Sequence, residues 1–426
     1  MNDLPNEILL KILLKIPIPE IKNLIRVCHL WHKIIDNKYF WKLTYQMEFS
    51  LPKKNDLTWK QMIKDYALVI RSNLNNPEYI KRNAYNLNTL NHHDFIDQQF
   101  YDHDKNLLLV ASHDEINIYN LDKYFTKKGM YDISDGFFGK YTTIKRKISN
   151  VHQICTINNF IILAPNDRKY DIGTAKINAI EIEYDSNNCI DEKSNFIINT
   201  NHLVIAKIGI MDNLIISSGI NDMFVYGTNL YGETVYAMET GLDDISAMNC
   251  SENMIMLGTE DGLVKIYDYS SRTLCAEYEL YNPSFYNKIN KISYDPNKNL
   301  VVCAATQYFC GFDLRSSKPL FRTNIPKFIE CTSSWSRLHG TEQNCIENMQ
   351  LYDGNILWSS LYTEKWKDTG NLHIYKLTDC YNNNYSQLHN NKCILSGVSA
   401  FQMCGIRLFA STVSGYACYS FCDMIQ

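Results

Sequence analysis

The sequence predicts an α+β multidomain protein in which a small all-α module is followed by an all-β propeller of seven blades. Two observations lead to this fold. Apolar residues recur at helical spacing near the amino terminus, and a two-strand unit recurs about every forty residues from residue 92 onward. We therefore predict three regions, which are the helical module at 1–48, a helical linker at 49–83 and the propeller at 84–426.

The composition is that of a globular chain with a sizeable core. The 426 residues are 45% hydrophobic and 21% charged, and their formal net charge of -4 disfavours a nucleic-acid partner. No apolar run reaches about 18 residues, so we predict neither a membrane span nor a secretory signal, and no membrane partner. The 14 cysteines include no Cys-x-x-Cys pair, which favours reduced thiols inside a cell.

The first predicted helix spans residues 5–16. Pro5 suits its first turn, and its apolar residues follow at three- and four-residue spacings: Ile8, Leu9, Ile12, Leu13 and Ile16. Pro17 and Pro19 end this helix, and the same spacing resumes over residues 21–35. So small a unit presents apolar surface on more sides than it can bury, which predicts that part of it binds a partner.

Four segments of this module resemble an F-box: Leu4-Pro5-Asn6-Glu7-Ile8-Leu9, Ile12-Leu13, Ile25-Arg26-Val27-Cys28-His29-Leu30-Trp31 and Phe40-Trp41. The resemblance covers residues 3–42. It implies binding to the small adaptor subunit of SCF-type cullin-RING ubiquitin ligases and, through that adaptor, to the cullin-RING core. It also implies which residues face the adaptor: Leu4, Pro5, Ile8, Ile12, Leu13, Val27, Cys28 and Trp31.

Each of these residues has an alternative interpretation as internal core, because an apolar stripe on a helix more often packs inward. We predict core positions for Leu9, Leu24 and Ile25. For Leu4-Pro5 and Trp31 we favour the interface, since aromatic anchors commonly dominate binding energy.

A second helical segment follows the module. Its apolar residues share one face and predict packing on the F-box: Trp59, Met62, Ile63, Tyr66, Ala67 and Ile70. The stretch 72–91 is rich in Asn and contains Pro77, which is typical of a connector between two architectures.

The repeated unit is clearest at residues 253–269. Two apolar strands there flank Glu260-Asp261-Gly262, which predicts a hairpin with an Asp-Gly turn. Each unit runs from an apolar strand through two small residues and a polar turn to a strand that ends in an aromatic. These aromatics are Tyr119, Tyr184, Tyr226, Tyr267, Phe312, Tyr375 and Tyr419.

The units resemble WD repeats, with Tyr267-Asp268 where the family places Trp-Asp and Asp261 at the turn aspartate. The family's Gly-His pair is missing and no repeat has Trp before Asp, so hydrogen bonding inside each blade is not implied. The chain stops soon after the strand at 416–421, one outer strand short of a complete last blade. We predict that the segment Asn83–Leu90 supplies this strand and closes the ring.

The sequence shows no phosphate-binding loop, nucleophile elbow or His-Glu-x-x-His helix. We therefore predict no catalytic residue, no cofactor and no metal site. His92-His93-Asp94 and His103 could in principle bind a metal, but neighbouring residues on a strand point apart and loop histidines are usually solvated. Cys418 and Cys422 lack companions at metal-site spacing and are interpreted as buried thiols.

Two insertions between repeats, at 122–150 and 324–343, are the predicted places for target contacts, because loops of a rigid scaffold carry most binding residues. The first combines basic and aromatic residues suited to an acidic or phosphorylated peptide. Solvated loops are the alternative interpretation for each residue. The predicted target contacts, including one from a later loop, are Lys145, Arg146, Trp335, Arg337 and Trp366.

Together the resemblances imply a non-catalytic substrate-recognition subunit of an SCF-type E3 ubiquitin ligase, at work in the cytoplasm or nucleus of a eukaryotic cell. The F-box would bind the adaptor, and the propeller would hold an unknown target protein close to the conjugating enzyme. The alternative is a non-degradative scaffold or a competitor for the adaptor. A propeller hydrolase is disfavoured, because the repeats carry no recurring acidic constellation.

Overall fold

The structure is a computed structural model. It describes residues 5–14, 21, 24–49, 58–60, 63, 84–88, 96–102, 107–112, 115–120, 141–145, 151–165, 175–184, 190–251, 253–280, 288–296, 298–305, 308–316, 318–324, 345–352, 355–361, 363–364, 367–368, 371–377, 380, 395–396, 398–404, 407–412 and 415–420.

The amino-terminal module contains three described helices: α1 (Asn6–Leu14), α2 (His29–Ile35) and α3 (Lys38–Phe49). α1 begins at Pro5, whose carbonyl accepts hydrogen bonds from the amides of the residues three and four positions later, at 3.0 and 3.1 Å. α1 packs on both other helices. Their shared core consists of Leu9, Leu13, Ile21, Ile35 and Phe40. The predicted core position of Leu9 is confirmed, whereas Leu24 and Ile25 are only partly buried.

The linker region contacts this module at the few linker positions that the structure describes. Lys60 places its Nζ 3.3 Å from an Asp36 carboxylate oxygen and 5.4 Å from the ring centroid of Trp41. Ile63, one turn further along, is buried. Lys60 thus joins this segment to the helical module, whereas packing through the apolar face stays a prediction.

The remainder is built from antiparallel strands. After β1 (Ala84–Asn88), the first three blades, each written from the axis outward, are β2 (Ile96–Asp102), β3 (Leu107–Ser112), β4 (Glu115–Asn120) and β5 (Tyr141–Lys145); β6 (Val151–Ile157), β7 (Phe160–Pro165), β8 (Lys176–Tyr184) and β9 (Ile190–Asn199); β10 (Ile205–Met211), β11 (Leu214–Gly219), β12 (Phe224–Thr228) and β13 (Thr234–Glu239).

The next two blades are β14 (Ile245–Ser251), β15 (Met254–Thr259), β16 (Leu263–Asp268) and β17 (Leu274–Glu279); β18 (Ile289–Asp295), β19 (Leu300–Ala305), β20 (Tyr308–Asp313) and β21 (Pro319–Asn324). The sixth contains β22 (Cys345–Tyr352), β23 (Asn355–Leu361), β26 (Asn371–Lys376) and β27 (Leu395–Ser396), with a side hairpin of β24 (Thr363–Glu364) and β25 (Lys367–Asp368). The seventh contains β28 (Val398–Cys404), β29 (Arg407–Thr412) and β30 (Gly415–Ser420).

These sheets form a closed ring. The innermost strand of each blade contacts that of the next, in the order β2, β6, β10, β14, β18, β22, β28 and back to β2. Polar side chains reinforce these contacts: Gln153 Oε1 accepts a hydrogen bond from the Ile208 amide at 2.6 Å, and the Ser246 hydroxyl donates to the Ile289 carbonyl at 2.6 Å. The predicted propeller is confirmed, with seven four-stranded sheets among the described residues.

The ring closes through the strand that precedes it. β1 pairs antiparallel with β30, with Ala84 opposite Tyr419 and Asn86 opposite Ala417, and so becomes the outer strand of the seventh blade. The prediction that Asn83–Leu90 supplies the missing strand is confirmed. An edge that would otherwise expose its backbone groups is thereby paired.

The repeated sequence features occupy equivalent places in the blades. All seven predicted aromatics lie on the third strand of a blade. The small residues lie on the second strand, where Ser217, Ser218, Ala304 and Ala305 are buried. The interior between adjacent blades is closely packed, and side chains this small leave room for the neighbouring sheet.

The predicted hairpin at 253–269 is confirmed as β15 and β16. Gly262 has a φ of +94°, a conformation that L side chains rarely adopt. Thr259 anchors the turn, since its hydroxyl donates to Asp261 and accepts a hydrogen bond from the Leu263 amide at 2.9 Å. Asp261 therefore stands at the turn, as the resemblance implied.

Blade six buries a stacked pair of rings. The ring centroids of Trp358 and His373 are 4.4 Å apart with an interplanar angle of 22°. Phe309, from the preceding blade, meets Trp358 edge-on at 5.6 Å. Burial lowers the pKa of His373 to about 4, because the charged imidazolium loses its hydration there.

This buried histidine predicts that stability depends on pH. The folded-state pKa of His373 lies below the ordinary value of 6.5, so its contribution is fully present above pH 6.5 and is lost as the pH falls towards 4, where the unfolded chain binds the proton more readily. We expect His373→Phe, which retains a ring beside Trp358, to remove about 3 kcal/mol of that pH dependence.

Denaturant titrations of the full chain and of His373→Phe between pH 4 and 7 measure this effect. The matched control is His29→Phe, because His29 lies exposed on α2. Equal pH dependence in the full chain and in His373→Phe would contradict the assignment.

Candidate functional site

Helix α1 carries apolar residues on two faces. Leu9 and Leu13 are buried against the other helices, whereas Ile8 and Ile12 remain 46% and 41% exposed. Residues four apart in a helix lie on the same face, so each pair forms a stripe. One stripe therefore completes the core, and the other is an apolar surface left open to solvent.

A second exposed apolar position precedes α2. The Val27 amide donates to the Leu24 carbonyl at 3.0 Å in a turn that leaves the Val27 side chain 59% exposed. Cys28 then begins α2 in an extended conformation, and its side chain makes no capping hydrogen bond. Cys28 and Trp31 are partly buried. Together with Ile8 and Ile12, this turn gives the module more exposed apolar surface than its own fold requires.

The predicted adaptor-facing residues differ in their exposure to solvent. Pro5, Ile8, Ile12 and Val27 are exposed, and Leu4 lies outside the described residues. Leu13 is fully buried, which corrects the expectation that it offers surface to a partner. Leu13 is buried because it follows Leu9 by about one helical turn and therefore lies on the same inward face.

Blade three contains a polar network that was not predicted from the sequence. The ring of His202 is fully buried between two loops, with Nδ1 2.6 Å from an Asp222 carboxylate oxygen and Nε2 3.1 Å from the Ser217 hydroxyl. The ring of Tyr226 lies beside it, 5.0 Å between centroids. Hydrogen bonding inside a blade, which the missing Gly-His pair left unpredicted, is therefore present here. The signal in the sequence was a histidine preceded by Asn201 instead of glycine.

Two partly buried lysines on innermost strands were also not predicted from the sequence. Lys207 on β10 and Lys291 on β18 both follow a bulge in the pairing with the second strand of their blade. Burial, reinforced by the charges of Lys291 and Lys288, lowers the pKa of Lys207 to about 8. Burial also lowers the pKa of Lys291. These strands thus bring positive charges close together near the ring's axis.

The predicted target contacts are mostly beyond the described residues. Lys145 ends β5, whereas Arg146, Trp335, Arg337 and Trp366 lie outside, as do His92-His93-Asp94 and His103. Within the described ranges, no three histidine, cysteine or acidic side chains are placed to hold a metal ion. Nor, in that same part of the chain, is any helix both long and apolar enough to cross a bilayer.

Comparison with known proteins finds one similarity for the amino-terminal module and another for the ring of blades. The F-box-like family model matches residues 1–47. A crystal structure of the RRP9 WD40 repeats is similar to 80% of this chain and 97% of its own, with a TM-score of 0.54 and 11% identity. The computationally designed Ika8 protein is similar to 79% of this chain and 99% of its own, with a TM-score of 0.46 and 12% identity. No curated protein matches the sequence.

The family match covers α1, which exposes Ile8 and Ile12, and the turn that exposes Val27, and the structural similarity extends over the ring of blades. The chain thus carries an F-box-like domain at its amino terminus, followed by a WD40-like β-propeller.

Proposed function

We propose that this protein is the substrate-recognition subunit of an SCF-type E3 ubiquitin ligase. Its F-box-like domain binds the small adaptor subunit and, through it, the cullin-RING core, while the propeller binds a target protein. The subunit is non-catalytic and works inside a eukaryotic cell. It acts by raising the local concentration of the target's lysines near the charged conjugating enzyme.

The observation that carries this proposal is the exposed stripe of Ile8 and Ile12 on a helix whose other face is buried. A small module does not gain stability from apolar side chains in water, so a stripe of this kind supports a partner interface. In the proposal Pro5, Val27 and Trp31 extend the adaptor-facing surface, and Leu13 supports it from the core.

We expect the double substitution Ile8→Ser and Ile12→Ser to weaken adaptor binding roughly thirtyfold, because two anchoring side chains lose their apolar contact area. Both side chains are exposed, so the helix should still fold. Titration of purified full-length protein with recombinant SCF adaptor, by calorimetry, measures the change. The matched control is Val235→Ser, which changes an exposed aliphatic residue on an outer strand of blade three.

Unchanged adaptor affinity in the double variant would contradict the assignment of this stripe. Failure of the unmodified protein to bind any SCF adaptor would contradict the function itself. A complex that contains adaptor but excludes the cullin would instead favour the competitor, and target levels that stay constant when the protein is removed would favour the non-degradative scaffold.

A further inference from the structure

A group of exposed apolar side chains lies on one end of the ring. We call this end the upper face; it carries the connections between blades and the turns between second and third strands. Leu203, Ile220, Met223 and Phe224 lie there on blade three, and Leu203 is 77% exposed. We call these four residues the upper-face patch.

The loops that carry the patch are joined by backbone hydrogen bonds. The amide of Ile220 donates to the carbonyl of Val204, next to Leu203, at 3.0 Å. The Thr240 amide donates to the Met223 carbonyl at 2.8 Å. The four apolar residues therefore belong to neighbouring loops on one surface rather than to separate parts of the blade.

The patch rests on a fixed support. His202 is buried beneath two of these loops and contacts Asp222, while the other Asp222 oxygen accepts a hydrogen bond from the Phe224 amide at 3.0 Å. The ring of Phe224 stacks on that of Tyr226 with centroids 5.9 Å apart. A surface held in this way loses little conformational entropy when it binds, which favours recognition.

The connection and the turn that adjoin the patch carry carboxylates. Asp243 and Asp244 are exposed on the adjoining connection, and Asn221 donates from its amide to the Asp243 carbonyl at 2.9 Å. Glu260, in the next turn, is exposed and hydrogen-bonded through its amide to the Asp244 carbonyl at 3.1 Å. Lys288 forms an ion pair with Glu260. Within the described part of the chain, no ion pair neutralises Asp243 or Asp244.

We propose that the upper-face patch binds a segment of the target protein in which apolar side chains are flanked by lysine or arginine. The apolar side chains of the segment would cover Leu203 and Met223, and its cations would meet the carboxylates of Asp243 and Asp244. Complementary charge mainly sets specificity and association rate, whereas the apolar contact supplies affinity. The identity of the partner rests on the proposed function, because a substrate receptor must bind its target through the propeller.

Three pools of fluorescein-labelled peptides test this proposal on the full chain without adaptor. One pool combines Lys and Arg with Leu and Phe, the second replaces the cations by Glu, and the third replaces the apolar residues by Ser. We expect the first pool to bind roughly tenfold more tightly than either other pool in fluorescence anisotropy. Leu203→Ser with Met223→Ser should abolish this preference, and Asp243→Lys with Asp244→Lys should abolish discrimination against the Glu pool.

Two matched controls change exposed side chains away from the patch: Tyr231→Ser in the β12–β13 turn, where Tyr231 is 90% exposed, and Glu183→Lys near the end of β8. Equal binding of the Lys/Arg and Glu pools, or no binding of any pool, would overturn the proposal. So would self-association of the chain that the patch substitutions abolish, because the patch would then be an interface between copies. Adaptor binding is measured separately, so these results leave the proposed function standing.

Discussion

The double substitution Tyr85→Pro and Asn86→Pro is expected to lower the melting temperature of the propeller by roughly 6 °C. Consecutive amides of a strand point to opposite sides, so one of the two prolines must face β30 and remove a hydrogen bond there. Four residue pairs join β1 to β30. At about 1 kcal/mol for each pair, loss of the strand costs about 4 kcal/mol, which gives the stated shift for a domain of this size.

The effect should extend around the ring. β28, in the blade that β1 completes, contacts β2 of the first blade, so a weakened seventh blade loosens the contact that closes the circle. Calorimetry measures the melting temperature, and hydrogen exchange should rise in β2 as well as in β28. The matched control is Tyr85→Thr with Asn86→Thr, which retains both amides and a residue type favoured in strands.

Restoring the lost strand in the proline variant tests the role of β1 directly. A copy of residues 84–88 joined to the carboxyl terminus through a flexible linker can pair with β30 in the same antiparallel sense, and we expect it to restore most of the lost stability of the proline variant. A proline variant that melts at the original temperature would show that β1 does not close the ring. Exchange that rises in β30 alone would show that closure is local.

The ring could be predicted because its signals are local and repeated. The small residues of the second strands and the aromatics of the third strands recur about every forty residues outside the two insertions, and each blade uses them in the same places. The closing strand β1 followed from counting, since a sheet edge left without a partner predicts that another segment pairs with it. These features depend on spacing along the chain, which the sequence states directly.

The exposed apolar stripe of α1 was harder to predict because helical spacing alone does not say which stripe faces inward. Ile8 and Ile12 on one side and Leu9 and Leu13 on the other are equally apolar, and their separation into surface and core depends on where the other helices pack. The upper-face patch was not predicted for a similar reason. Leu203 and Met223 are twenty residues apart, and only the pairing of strands within blade three brings their loops together.

His202 shows the same limit for polar residues. Its partners Ser217 and Asp222 lie 15 and 20 residues further along the chain, and the residue before it is Asn201 rather than glycine. Because the Gly-His dipeptide is absent, the sequence did not indicate that His202 belongs to such a network. The geometry of the blade, rather than the dipeptide, decides that a histidine at this connection meets an aspartate of the turn.

We expect His202→Ala to lower the free energy of unfolding by about 4 kcal/mol. The substitution removes a hydrogen bond to a carboxylate at 2.6 Å and one to the buried Ser217 hydroxyl at 3.1 Å, and it leaves a cavity where a fully buried ring lay. Denaturant unfolding of the full chain measures the change. The matched control is His32→Ala on α2, whose histidine is exposed, and it should change stability by less than about 0.5 kcal/mol.

A double-mutant cycle separates the network from simple loss of volume. If the ring of His202 and the hydroxyl of Ser217 act together, then His202→Ala should cost about 1 kcal/mol less in a Ser217→Ala background than in the unmodified chain. Strict additivity would mean that the two side chains contribute independently, and a small effect of His202→Ala would mean that the loops are held by their backbone hydrogen bonds alone. Asp222 connects His202 to the amide of Phe224, so the buried ring that contacts Ser217 within blade three is also joined to the turn of the upper-face patch.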